Sequence, residues 1–128
     1  MADLLQRGSD WLEDQRTQHL TRPVVYQRGA SSVEVSATIG RTVFEVDNGY
    51  GVLEKVESRD YLVLRDALIL DGQVALPERG DRVRETDGAK VQVYEVMAPG
   101  KEPHWRYSDP YRKTLRIHSK HIGTEESP

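Results

Sequence analysis

The sequence predicts a mainly β protein of the α+β class, a small antiparallel β-barrel or sandwich carrying one N-terminal amphipathic helix. Three observations lead there. The hydrophobic period changes at Pro23 from about 3.6 residues to about 2, as expected where a helix gives way to half-buried strands. Asn48-Gly49, Asp71-Gly72 and Asp87-Gly88 fall between β-prone runs, where such pairs favour hairpin turns. Nearly every connection is short, which favours neighbouring antiparallel strands.

From Asp3 to Leu20 the apolar Leu4, Leu5, Trp11, Leu12 and Leu20 share one side of a helical wheel, with Asp10, Glu13, Asp14 and Arg16 mostly elsewhere. Pro23 lacks a backbone donor and pushes the residue before it toward extended conformations, so the helix should end near Leu20. "PVVYQRG" and "SSVEVSATIG" then read as successive strands, with Val33, Val35 and Ala37 alternating against Glu34, Ser36 and Thr38. "RTVFEV" and "GVLEKVESRDYLVL" bracket "DNGYG", which predicts a hairpin or longer loop there. "LILDGQVAL" and "RVRETDGAKVQVYEV" each predict a further hairpin. The alternation in "KVQVYEV" shifts between Val93 and Tyr94, which fits either a bulge or a strand buried on both faces.

Residues 97–113 hold three prolines and a glycine and read as a long mobile connection interrupting the sheet. "TLRIHSKHI" resumes as the last strand. The expected organisation is one domain over residues 1–122, with a helix about 3–20, a β-rich body about 23–122, and a flexible tail over 123–128.

A formal charge of -3 and a pI near 5.8 argue against generic nucleic-acid binding, which depends on neutralising phosphates. The chain has no cysteine, which removes disulfides, thiolate zinc ligands and thiol nucleophiles together. "MADLLQRGSDWLEDQ" has acidic residues where a signal peptide needs basic ones, and no apolar run approaches the ~20 residues that span a bilayer, so a cytoplasmic product without membrane partners is expected.

Chemistry-bearing patterns are sparse. His118 and His121 are three apart, which on one strand sends them to opposite faces and leaves no metal site unless the strand ends between them. Glu45, Asp47, Glu54 and Glu57 suit a solvated strand face; paired-carboxylate catalysis would need a cleft geometry. The common serine-nucleophile, zinc and phosphate-cradle motifs are missing, so the sequence points to no enzyme, cofactor or catalytic residue.

Two stretches remain as binding candidates. In "DNGYG", Asn48 and Tyr50 would sit on a glycine-flanked tip, with Tyr50 either an exposed anchor or folded back over its hairpin. Residues 101–120 interleave Trp105, Tyr107 and Tyr111 with Lys101, Arg106, Arg112, Lys113, Arg116 and Lys120. That mixture fits a solvated loop, a protein interface or a single-stranded nucleic-acid platform.

Arg79-Gly80-Asp81 has the form of an integrin-binding tripeptide. It also suits a turn into a strand, with Gly80 giving a positive φ and Asp81 bonding to nearby backbone. The longer phrase "LPERGDRVRETDGAKVQVYEV" resembles the phage head-tail joining, or lambda-like tail-attachment, proteins. The matching positions are Arg79, Gly80, Asp81 and Val83, then Asp87-Gly88, then Tyr94 and Val96. Helix, "VEVSATIGRTVFEV", "SRDYLVLRDALI", hairpin and closing strand also follow the family's order over most of residues 2–122, while 97–113 has no counterpart.

The resemblance implies a non-enzymatic, prophage-encoded virion protein that forms a homo-oligomeric ring between head and tail, monomeric or weakly associating when isolated. Its implied partners are other phage head and tail proteins, with nucleic acid present only as DNA threading the assembled channel. It would be found in the bacterial cytoplasm during assembly and then in the virion. Asn48, Tyr50, Trp105, Tyr107, Tyr111 and Arg112 are the expected assembly residues.

Overall fold

Alternating apolar residues build most of the chain into β1 (Thr21–Arg28), β2 (Ser31–Asp47), β3 (Leu53–Leu64), β4 (Ile69–Leu70), β5 (Gln73–Val74), β6 (Arg82–Asp87), β7 (Lys90–Val96), β8 (Trp105–Tyr107) and β9 (Thr114–Glu126). The structure is a computed structural model that describes residues 21–126. The predicted helix 3–20 lies outside the described residues. A single 3-10 turn, Arg65–Ala67, joins β3 to β4.

The inward positions are those the period of 2 selects. Val24 and Tyr26 of β1, Val35 and Ala37 of β2, Tyr61 and Val63 of β3, Val83 of β6, and Leu115 and Ile117 of β9 form one buried cluster, closed by Leu68 and Leu70. The expected hairpins form. Leu70 pairs with Gln73, so Asp71 (φ 54) and Gly72 (φ 78) are the two turn residues, the double positive φ of a type I′ turn. In the next hairpin Asp87 pairs with Lys90, which moves the turn one residue along to Gly88-Ala89.

The seven-stranded antiparallel sheet has the order β3-β2-β1-β6-β7-β9-β8, and β3 also pairs with β9. β9 divides its length, with Thr114–Ser119 lying along Leu64–Arg59 of β3 and Ser119–Glu126 along Val96–Lys90 of β7. A bulge at Ile122 lets it turn from one partner to the other, as the shifted alternation in β7 foreshadows. The expected barrel or sandwich is thereby corrected to a strongly curled sheet without a closed wall. Only Val25–Gln27 pair β1 with β6, and β3 and β9 diverge beyond Arg59 and Ser119.

Three further expectations change. β2 is one strand of 17 residues where two runs were read, and its pairing with β1 stops at Thr38 while its pairing with β3 continues to Asp47. The distal β2–β3 hairpin therefore projects as a two-stranded arm. Residues 97–113 do not interrupt the sheet, because Trp105, Arg106 and Tyr107 pair with Ile117, Arg116 and Leu115, placing two half-buried aromatics against the core. Residues 123–126, expected in the tail, continue β9, since Gly123–Glu126 pair with the Val93–Lys90 edge of β7.

Candidate assembly surfaces

Three buried carboxylates fix the surfaces of the molecule. Asp60, at the base of the arm, accepts hydrogen bonds from Ser58 Oγ (2.6 Å), Arg116 Nε (2.7 Å) and Thr42 Oγ1, and His118 Nδ1 lies 2.8 Å from its Oδ1. Burial pushes the Asp60 carboxyl up, but His118, Ser58, Thr42 and Arg116 outweigh it and hold the group at about 2. Arg116 also donates through Nη2 to the Arg41 carbonyl (3.1 Å), and Phe44 meets the His118 ring edge-on at 5.2 Å. The arm is thus tied to β9 by both polar and aromatic contacts.

Ser58, Asp60 and His118 do not form a nucleophile relay. Both Ser58 Oγ (3.3 Å) and Asp60 approach the same ring nitrogen, whereas serine activation needs the nucleophile and the carboxylate on opposite nitrogens. All three residues are buried. His121 faces outward beside Gln92 (2.8 Å), so the histidine pair is split across the strand. Among the described residues no cluster of His, Asp and Glu is arranged to hold a metal ion.

Glu85 receives Arg59 through Nε and Nη2 (both 2.8 Å) and the Tyr61 hydroxyl (2.5 Å), with Arg22 at 3.4 Å. Burial raises the Glu85 carboxyl, yet Arg59 and Tyr61 bring it below the ordinary carboxylate range. Burial, with Glu85 adding to it, pushes the Tyr61 hydroxyl far up. Asp81 is held in the same manner by Arg28 (3.0 and 2.8 Å), the Tyr26 hydroxyl and the Glu78 amide (2.9 Å). The Asp81 side chain is only 4% exposed, so the Arg-Gly-Asp tripeptide is a turn whose aspartate points inward.

At the end of the arm, Asp47 Oδ1 accepts from the Gly49 amide (2.8 Å), Asn48 Oδ1 from the Tyr50 amide (2.9 Å), and the Asn48 amide donates to the Val52 carbonyl (3.0 Å). These bonds define the tip and turn Tyr50 outward. At 89% exposure it is not folded over its hairpin. Val52 and Leu53 are more than half exposed beside it, and Val43 is exposed nearer the base of the arm. Val43, Phe44, Val46 and Leu53 border a groove of ≈ 770 Å³ shared with Pro99, Gly100 and Lys101.

The predicted residues of the 101–120 stretch separate from one another. Trp105 and Tyr107 are half-buried, meet edge-on at 5.0 Å and pack on the core. Tyr111 is 78% exposed. Arg112, at φ 57, sits over the Tyr107 ring at 5.7 Å, and Lys113 lies 6.0 Å from the Tyr111 ring. This loop is held at the far end of β3, where the Arg65 amide donates to the Lys113 carbonyl (2.8 Å). The Thr114 amide, with that of Lys113, keeps the Asp109 carboxyl below its ordinary range and closes the loop. Asn48 and Tyr50 therefore lie at one end of β3 and Tyr111 and Arg112 at the other, about 36 Å apart along the strand.

A family model described as phage head-tail joining protein matches residues 2–126. The chain belongs to the phage head-tail joining family. No curated protein and no solved structure matches it. For a head-tail joining protein, the informative geometry is exposed apolar surface at the arm tip and again on the separate β4–β5 hairpin. The second patch, Leu64, Ile69, Val74 and Leu76, was missed from sequence. A signal was present in "LILDGQVAL", where alternation in a two-stranded turn exposes Ile69 and Val74 as it buries Leu70.

Proposed function

We propose that this chain is a non-enzymatic virion protein of a phage or prophage, which assembles with copies of itself into a ring at the junction of head and tail. The observation that carries the reading is the projecting arm with Tyr50, Val52 and Leu53 exposed at its tip. Clustered apolar surface of this kind marks a contact site. The curled sheet supplies a rigid body, and the arm, positioned by Asp60 and Arg116, reaches beyond it.

In this reading Asn48 and Tyr50 meet one neighbour and Tyr111 and Arg112 another, while Trp105 and Tyr107 act by supporting the loop that presents them. Head-side and tail-side phage proteins bind the two faces of the ring, and DNA passes through it. The subunit is monomeric or weakly associating before it meets them, is assembled in the bacterial cytoplasm, and remains in the virion. Deleting the gene from the phage genome tests the proposal by electron microscopy. Separate heads and tails are the expected result, and normal tailed particles would overturn it.

A further inference from the structure

Opposite ends of β3 carry two unlike apolar patches. One is the arm tip, with Tyr50, Val52 and Leu53 exposed by 89, 54 and 63%. The other is the outer face of the β4–β5 hairpin with its flanks, where Leu64, Ile69, Val74 and Leu76 are exposed by 62, 43, 54 and 46%. Ile69 and Val74 are direct cross-strand partners, so both side chains leave the same face of that hairpin. β5 packs against the Arg65–Ala67 turn that follows Leu64.

The charges around the patches differ as well. The arm carries Glu45, Asp47, Glu54 and Glu57 against Lys55 and Arg41, the last 3.6 Å from Glu57, and is acidic on balance. At the other end Asp66, Asp71, Glu78 and Asp109 stand against Arg65, Arg79, Arg112 and Lys113, so the charges balance there, with Arg65 3.3 Å from Asp66. Arg79, Arg112 and Lys113 are exposed at that end.

We infer that the β4–β5 face is the seat for the β2–β3 tip of a neighbouring copy. A two-fold contact between arm tips would bring acid to acid and leave the second patch of each subunit bare. A head-to-tail contact sets the acidic tip against a face whose charges balance and where Arg79, Arg112 and Lys113 are exposed, covers both patches in every subunit, and closes into a ring when the rotation between copies allows it. The inference rests on the proposed ring assembly and specifies which surfaces meet.

The lack of cysteine makes the test clean. Full-length Val52→Cys and Val74→Cys proteins, both near-isosteric changes at exposed sites that keep Tyr50, are purified separately, checked for unchanged melting temperature, mixed at high concentration and oxidised. The mixed disulfide should exceed either homodimer at least tenfold, and the double variant recovered in phage particles should run as a covalent ladder. Predominant Val52→Cys or Val74→Cys homodimers would overturn the inference. So would double-variant protein that is present in particles but not cross-linked, which would assign the β4–β5 face to a different head or tail protein and leave the proposed function standing. Absence of the wild-type chain from purified particles would instead overturn the function, and this inference with it.

Discussion

Protonating Asp60 should cost the fold about 2 kcal/mol. Its carboxyl is held at about 2, against an ordinary value of 3.8, and each unit of difference corresponds to about 1.4 kcal/mol. Because the folded state holds the group lower than the unfolded chain does, the stabilisation is fully present above about pH 4. It is lost as the pH falls from about 4 toward 2. The groups facing the carboxylate are the Arg116 guanidinium, His118, Ser58 and Thr42. Asp60→Asn removes the acid while leaving Arg116, a fifth exposed, without its charge partner, a change expected to cost about 3–5 kcal/mol at pH 7. Urea unfolding followed by far-UV circular dichroism at pH 7, 5, 4, 3 and 2.5 measures both effects. Glu85 also titrates low, so wild type and variant both weaken in acid, but wild type should lose about 1.5 kcal/mol more between pH 7 and 2.5. Equal acid slopes, or an Asp60→Asn protein as stable as wild type at pH 7, would refute the assigned role of the cluster.

The other expectations are local. Gly80 has φ 91 and its amide donates to the Val96 carbonyl (3.0 Å), so Gly80→Val should cost at least about 1 kcal/mol, whereas Arg79→Ala on the exposed side of the turn should change little; equal melting temperatures for Gly80→Val and wild type would count against this account. Tyr26→Phe removes the hydroxyl bonded to buried Asp81 and should destabilise by roughly 1–3 kcal/mol in chemical denaturation, an expectation that wild-type stability would contradict. Tyr50→Ala should stay within about 0.5 kcal/mol of wild type and still lower the yield of tailed particles in a complementation assay; undiminished yield would remove Tyr50 from the contact.

Local features of the fold were legible because neighbouring residues determine them. Alternation identified the inward Val35, Ala37 and Val83, and the Asp-Gly and Asn-Gly pairs marked the hairpins. The β1–β6 and β3–β9 pairings join residues 50 or more apart, so no local pattern encodes them. The same separation hid the buried ion pairs. The turn role of Asp81 was legible and its amide partner is Glu78, but nothing in the sequence singled out Asp60 or Glu85, or marked the arginines that β9, β3 and β1 bring to the three acids, Arg116, Arg59 and Arg28. β8 was missed since prolines flank a strand of three residues whose hold comes from Trp105 and Tyr107 packing, a tertiary effect. Of the candidate surface, the Tyr50 tip followed from its flanking glycines, while the Leu64–Leu76 patch depends on which face of a short hairpin the core covers.

The projecting arm has a consequence for handling the isolated protein. From Thr42 to Asp47 and from Leu53 to Ser58, β2 and β3 pair only with each other among the described residues, so both outer borders of the ribbon offer unused amide and carbonyl groups. Such borders template fibrous aggregation unless charge guards them. Glu45, Asp47, Glu54, Lys55 and Glu57 supply that guard along the ribbon. Neutralising them with threonine or valine should raise thioflavin-T-positive cross-β aggregation relative to wild type, with the folded body still intact.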